Sequence, residues 1–174
     1  MEIISFTGKS GTGKSYQATR ICVEKNIDGI IDDGLFIYKG KVMAGSSAKK
    51  CSTKTGAVKA ALFTYEKDAE PVRKAIERCK PKRLMILGTS DKMVDWITES
   101  LHLHKPDERL YIEDYTTEEQ RTIAYHSRHD EGNHVIPAPM GELKMAFSGY
   151  FINPLQHLRK LVNSSNKEYN EDRD

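Results

Sequence analysis

Net charge is nearly absent from this chain. Lys and Arg total 27 against 25 Asp and Glu, leaving +2 over 174 residues. So small an excess gives no basis for nucleic acid as a partner, because duplex-binding domains carry a stronger basic bias. Long apolar runs are also missing; none approaches the roughly 20 residues that a membrane-spanning helix needs. Cysteines are few, and Cys22, Cys51 and Cys79 are odd in number, far apart and without a CxxC pair. They outline no disulfide frame, so a reducing, cytoplasmic compartment is expected. The opening MEIISFTG carries an acid and lacks a basic n-region, so it is not expected to act as a secretory signal. Internal repeats and low-complexity linkers are absent too.

What is present is an ordinary globular composition, 38% hydrophobic and 30% charged, with enough chain for one domain and a real core. The apolar run over residues 2–8 predicts a buried strand ending in Gly8. Helical spacing follows over 14–25, with Ala18, Ile21 and Cys22 on one face. Two strand pieces are predicted in 28–45, with LFIY and VMAG joined by a KGK turn. Further helices are predicted at 57–65 and 68–79, then a buried strand at 83–90. An amphipathic helix over 91–103 groups Met93, Trp96, Ile97 and Leu101 on one face. A strand is predicted at 109–115. Thr116 to Glu119 has the pattern of a capping box opening a helix that stops at Gly132. A short strand at 133–137, a helix at 154–162 and a polar, frayed tail at 163–174 complete the reading.

Strands alternating with helices predict an α/β fold of three layers, with a mostly parallel sheet of about five strands. The hairpin near 33–45 breaks the alternation and is expected as an inserted, antiparallel flap. Residues 1–162 are read as one domain, which the glycine-rich stretch near its start marks as nucleotide-binding.

The octapeptide GKSGTGKS, Gly8 to Ser15, satisfies G-x-x-x-x-G-K-[ST] in full and sits between a predicted strand and a predicted helix. Each residue type has a physical role. Gly8, Gly11 and Gly13 allow a tight turn that brings N–H groups close to phosphate oxygens. The helix beyond Gly13 aims the positive end of its dipole at the same anion. Lys14 adds a cation for the outer phosphates, and the Ser15 hydroxyl is a Mg²⁺ ligand. Lys9, Ser10, Thr12 and Tyr16 complete the candidate nucleotide-contacting stretch.

These residues resemble the Walker A motif of the P-loop NTPase superfamily. The resemblance implies binding of ATP with Mg²⁺ and phosphoryl transfer to water or to a substrate. Such chemistry needs a carboxylate near the metal, and three strand ends offer one. Asp32 and Asp33, after GII, are similar to the paired acids of uridine-kinase-like and phosphoribulokinase-like enzymes, where an Asp faces the acceptor hydroxyl; Gly34-Leu35 replaces the aromatic pair of that group. The same two acids also suit a turn into the hairpin. Glu113 and Asp114, after LYI, resemble a Walker B strand with Asp114 serving Mg²⁺, in an order reversed from the common Asp-Glu. Asp114 also suits the start of the next helix. Thr89, Ser90 and Asp91 resemble a sensor strand end, although an N-cap role is favoured for Thr89 or Ser90. The TSDK string is not the guanine-reading N-K-x-D, so ATP is expected.

Among basic groups, Arg121 and Arg128 lie two turns apart on one helix face. Arg128, near the helix end, is the candidate arginine finger, while Arg121 is read as part of a solvated face. His126, His129 and His134 show no Zn²⁺ spacing. The basic loop GSSAKK, residues 45–50, suits either a clamp on a phosphate-bearing substrate or a mobile, solvated segment, and the second is favoured. The stretch 134–151, with Phe147, Tyr150 and Phe151, either packs on the core or docks a partner. ATP hydrolysis is the expected reaction. A small-molecule kinase using Asp32 or Asp33, and a slow nucleotide-gated switch with a protein partner, are the alternatives.

Overall fold

A computed structural model describes residues 1–130, with side chains described through residue 126. The expectations for Gly132, for the strand at 133–137, for the 134–151 stretch and for the C-terminal helix and tail lie outside the described residues.

The described chain forms β1 (Glu2–Thr7), α1 (Lys14–Glu24), β2 (Gly29–Asp32), β3 (Leu35–Tyr38), β4 (Lys41–Gly45), α2 (Lys54–Ala61), α3 (Glu66–Cys79), β5 (Arg83–Gly88), α4 (Asp91–Ser100), β6 (Glu108–Tyr111) and α5 (Glu118–Asp130). Two short 3₁₀ turns, Ala48–Lys50 and Ile112–Asp114, link them. Six strands form one sheet in the order β4-β3-β2-β5-β1-β6. The β2, β5, β1 and β6 neighbours pair in parallel, and β2-β3-β4 is antiparallel at one edge. The fold is therefore α/β with a mostly parallel sheet.

The sheet divides the core in two because strand side chains alternate. Ile4, Phe6, Ile30, Met85 and Leu87 face α1, where Ala18, Ile21 and Cys22 cover them. Ile3, Ile31, Leu84 and Ile86 face α3 and α4, under Val72, Ile76, Val94 and Ile97. Phe6 meets Tyr115 edge to face at 5.7 Å. Among the described residues, no helix is long and apolar enough to cross a membrane.

Four expectations are corrected. The hairpin is no flap. Its strands extend the sheet through two turns whose central residues all have positive φ, Asp33 (53°) with Gly34 (83°) and Lys39 (47°) with Gly40 (83°). Turns with two left-handed residues match the strand twist, so the hairpin stays in the plane of the sheet and raises the strand count to six. Trp96 is not on the core face of α4. The buried positions there are Val94, Ile97 and Thr98, and Trp96 is 48% exposed. The capping box of α5 falls one residue later than the sequence pattern indicates. Thr117 Oγ1 accepts from Gln120 N and Gln120 Oε1 accepts from Thr117 N, at 3.2 and 2.9 Å. Thr116 instead donates its hydroxyl to the Ile112 carbonyl. Finally, the strand expected over 109–115 ends at Tyr111, and the chain turns there into the second 3₁₀ segment.

Candidate functional site

Three strand ends meet where the parallel strands finish. Thr7 is level with Gly88 on one side and Tyr111 on the other. Gly8 N donates to Gly88 O at 3.2 Å, which fixes the first residue of the glycine-rich loop beside the end of β5. Gly8 has no room for a side chain, since a Cβ there would lie 2.6 Å from Ile112 Cγ2. The buried Ile112 of the 3₁₀ turn thus floors the loop.

The loop turns through Gly11 (φ 79°) and Gly13 (φ 83°), both in the left-handed region that L side chains disfavour. Gly13 is the N-cap of α1. As glycine it supplies no capping side chain, and the first turn of α1 contains no acid. The other described α-helices each have one or both. Thr53 caps α2, acids occupy the first turn of α3, Ser90 caps α4 and Thr117 caps α5. The leading amides of a helix have no intrahelical acceptor, so the start of α1 presents a positive dipole end that, among the described residues, no side chain caps and no first-turn acid offsets. Lys14 extends back along the loop, its Nζ donating to Gly8 O at 2.8 Å. Thr12 Oγ1 closes the turn on Lys9 O at 2.7 Å. Lys9 and Ser10 are exposed, and Thr12, Gly13, Lys14, Ser15 and Tyr16 are half-buried.

The α5 helix packs over this loop. Ala124 Cβ would lie 3.8 Å from a Cβ built on Gly13. A pocket of about 260 Å³ lies between Lys9, Ser10 and Thr12 of the loop and Glu118, Arg121, Thr122 and Tyr125 of α5. These helix positions form an i, i+3, i+4, i+7 stripe. Arg121 is half-buried, and its Nη1 donates to the carbonyl and hydroxyl of Thr116 at 2.7 and 3.2 Å. The solvated-face reading of Arg121 is therefore corrected. Periodicity shows which residues share a face but not what that face meets. The backbone of Arg128 continues α5, and its side chain lies outside the described residues.

The candidate carboxylates are separated. Asp32 ends β2 and pairs with Leu35, which belongs to the core on the α1 side. Strand alternation places Asp32 on that same face, since Ile31 before it faces α3 and α4. Asp32 is half-buried. With β5 between β2 and β1, its backbone is two strand spacings, about 10 Å, from β1. Asp33 departs in the other direction. It occupies the turn, accepts from Ser47 Oγ at 3.0 Å, and lines a second pocket against α2 and α4. Glu113 and Asp114 are exposed on the 3₁₀ turn after the edge strand β6. Thr89 and Ser90 are exposed at the end of β5, where Ser90 Oγ accepts from Met93 N at 3.2 Å.

The loop expected to be mobile and solvated is built onto the Asp33 turn. Ala48 N donates to Asp33 O at 2.9 Å, Ser47 Oγ caps Lys49 N, and Ser47 and Ala48 are buried. The second pocket, about 540 Å³, lies between this loop, α2 and α4. Of the residues in its wall, the sequence does not single out Lys92, places Lys49 in a loop read as solvated, and groups Met93 and Trp96 on the apolar face of α4. The exposed aromatic of α4 was the available signal, and it was assigned to the core instead.

Between β6 and α4, Arg109 bridges Asp95 at 2.7 Å and Asp91 at 3.5 Å, and Tyr111 donates its hydroxyl to Asp91 at 2.8 Å. The Asp95 hydrogen bond leads in pushing the Arg109 pKa up, and the Asp91 hydrogen bond leads in raising that of Tyr111. These contacts tie α4 to β6. Burial alone pushes the Cys22 thiol up to about 12, which leaves it a packing residue rather than a nucleophile. Among the described residues, no three His, Cys, Asp or Glu side chains cluster as metal ligands. A Mg²⁺ site built mostly from phosphate and water needs only one or two carboxylates or hydroxyls from the protein. Compared with protein-family models, curated proteins and solved structures, the chain finds no match in any of the three.

Proposed function

We propose that residues 8–15 bind a nucleoside triphosphate, ATP, with Mg²⁺, and that the chain catalyses transfer of its terminal phosphoryl group, as a member of the P-loop NTPase superfamily. The observation that carries this reading is the start of α1. It is a helix N-terminus without a side-chain cap or a first-turn acid, entered through two left-handed glycines and crossed by the Lys14 side chain. An anion is the ligand that such a terminus lacks, and a polyphosphate extends along the loop to Lys14. ATP when bound supplies the transferable group, and the metal neutralises its charge.

The residues that fit are assigned as follows. The loop amides and Lys14 hold the phosphates. Ser15 in the first turn of α1 offers its hydroxyl to Mg²⁺. Asp32 is assigned as the metal carboxylate in place of Asp114, because it shares the face of α1 at the end of a parallel strand, whereas Asp114 is exposed on a turn beyond the edge strand. Arg121, on the α5 stripe facing the loop, is assigned to the charge on the transferring group.

Hydrolysis is the primary reading. Transfer to a small-molecule acceptor is the second, and the pocket lined by Asp33 and by Thr89 and Ser90 favours it. These two residues directly follow Gly88, the residue bonded to the loop. Calorimetric titration with Mg²⁺ and a nonhydrolysable ATP analogue tests binding; no heat from the native chain refutes it. Turnover then separates the carboxylates. Asp32→Asn is expected to depress it far more than binding, and Asp114→Asn to leave both near wild type. The reverse order would return the metal role to Asp114.

A further inference from the structure

We propose that the pocket between α2, α4 and the Ala48–Lys50 turn is a binding site for a small anion with an apolar, ring-bearing body. As a ligand site it goes beyond the phosphate-loop reading and stands without it; only the role of its ligand as a phosphoryl acceptor rests on that reading.

Three observations carry the proposal. The first is that α2 has no fully buried residue, although it offers Ala57, Val58 and Ala61. A helix on a globular surface ordinarily buries its apolar stripe. Here Ala57, Val58 and Ala61 line the pocket, and Leu62 just beyond them both lines it and packs against the core. The second is the opposite wall. Met93 and Trp96 of α4 face the same space, and Val58 and Trp96 are 57% and 48% exposed. Indole and thioether are the side chains best suited to receive an aromatic ring. The pocket, about 540 Å³, falls in the volume range of small-ligand sites. The third is charge. Lys49 and Lys92, both exposed, flank the apolar walls from the 3₁₀ turn and from α4. Asp33, already accepting from Ser47, is the acid in the lining. Two ammonium groups beside an apolar slot select an anionic head on an apolar body.

The chain has one tryptophan, so tryptophan emission reports from the pocket wall. The probe is 8-anilinonaphthalene-1-sulfonate, with N-phenyl-1-naphthylamine, which lacks the sulfonate, as its neutral counterpart. Added to the native full chain, the sulfonate is expected to show saturable, one-to-one energy transfer from Trp96. Lys49→Glu with Lys92→Glu, both at exposed positions, should weaken the sulfonate about fivefold or more while leaving the neutral probe unchanged. Ala61→Phe should remove binding of both. Lys14→Ala should keep both, which separates this site from the phosphate loop. The inference is overturned if transfer does not saturate or if the charge reversals weaken both probes equally. It is likewise overturned if an Ala61→Phe chain that melts like wild type still binds, or if binding disappears in a folded Lys14→Ala chain. Sedimentation showing a dimer that excludes the probe would assign the pocket to a second copy and also overturn it. Failure of the ATP titration leaves these readouts intact.

Discussion

Two strand–turn–helix corners lie side by side in this protein and handle the same problem in opposite ways. At the end of β5, Ser90 caps α4 through Met93 N, and Asp91 sits in the first turn. That corner supplies its own acceptors and leaves its helix dipole compensated. At the end of β1, Gly13 caps α1 with no side chain, and a lysine, Lys14, occupies the first turn. The corners are bonded to each other through Gly8 N and Gly88 O, so they share one sheet and one environment. The difference between them is local chemistry alone. The first corner satisfies its leading amides with its own side chains; the second forms without a side-chain cap or a first-turn acid, and the proposed phosphate site rests on that difference.

The comparison can be broken most decisively at Lys14. Lys14→Ala is expected to lower affinity for the Mg²⁺–ATP analogue about 100-fold, the loss typical of a charge-assisted contact. The melting temperature should stay near wild type, and calorimetric titration beside a thermal melt checks both. Gly8→Ala strikes the scaffold beneath the loop. Its Cβ would collide with Ile112, and overpacking of this kind costs about 1–3 kcal/mol. Urea unfolding should show that loss, and Gly8→Ala with Ile112→Ala should lose less than the sum of the single changes. Ser90→Ala sharpens the contrast from the other corner. Removal of the cap should cost about 1 kcal/mol of stability and leave nucleotide affinity unchanged. A matching drop in affinity would mean that the two corners act as one site.

The smallest expected effect lies at the far end of β1. Asp107 accepts from Ile3 N at 2.8 Å and from His104 at 2.9 Å. The Ile3 amide first, and then His104, hold its carboxyl below the ordinary value of 3.8. A depressed carboxyl contributes stability that is complete above its unfolded value and fades as pH falls through the folded one. Asp107→Asn should therefore lower the urea midpoint slightly near neutral pH. The gap from wild type should close as the pH falls below about 3.8. A gap that persists in strong acid would assign the residue a packing role instead.

Legibility differed from place to place for physical reasons. The β1–loop–α1 unit was readable because its signals are local. Apolar residues fill a short strand, glycines stand where the turn needs positive φ, and helical spacing follows. The hairpin was half readable. Lys39-Gly40 was identified as a turn, whereas Asp33-Gly34 was treated as a candidate site as much as a turn, although both adopt the same pair of left-handed conformations. Arg121 and Trp96 were misplaced because spacing reports which residues share a helix face and says nothing of what lies opposite. The shift of the capping box from Thr116 to Thr117 has the same origin. Two adjacent threonines are equivalent in sequence, and the Ile112 carbonyl engages one of them.

By itself, then, the order of residues determined the alternation of strands and helices, the two-sided core and the glycine-capped helix start. Each of these follows from backbone preferences and hydrophobic period within a short window. Tertiary structure alone decided that β5 lies between β2 and β1, that Asp32 and Asp33 part to opposite faces, and that α2 and α4 enclose a pocket. Those outcomes depend on which distant segments become neighbours, and no short window contains both partners.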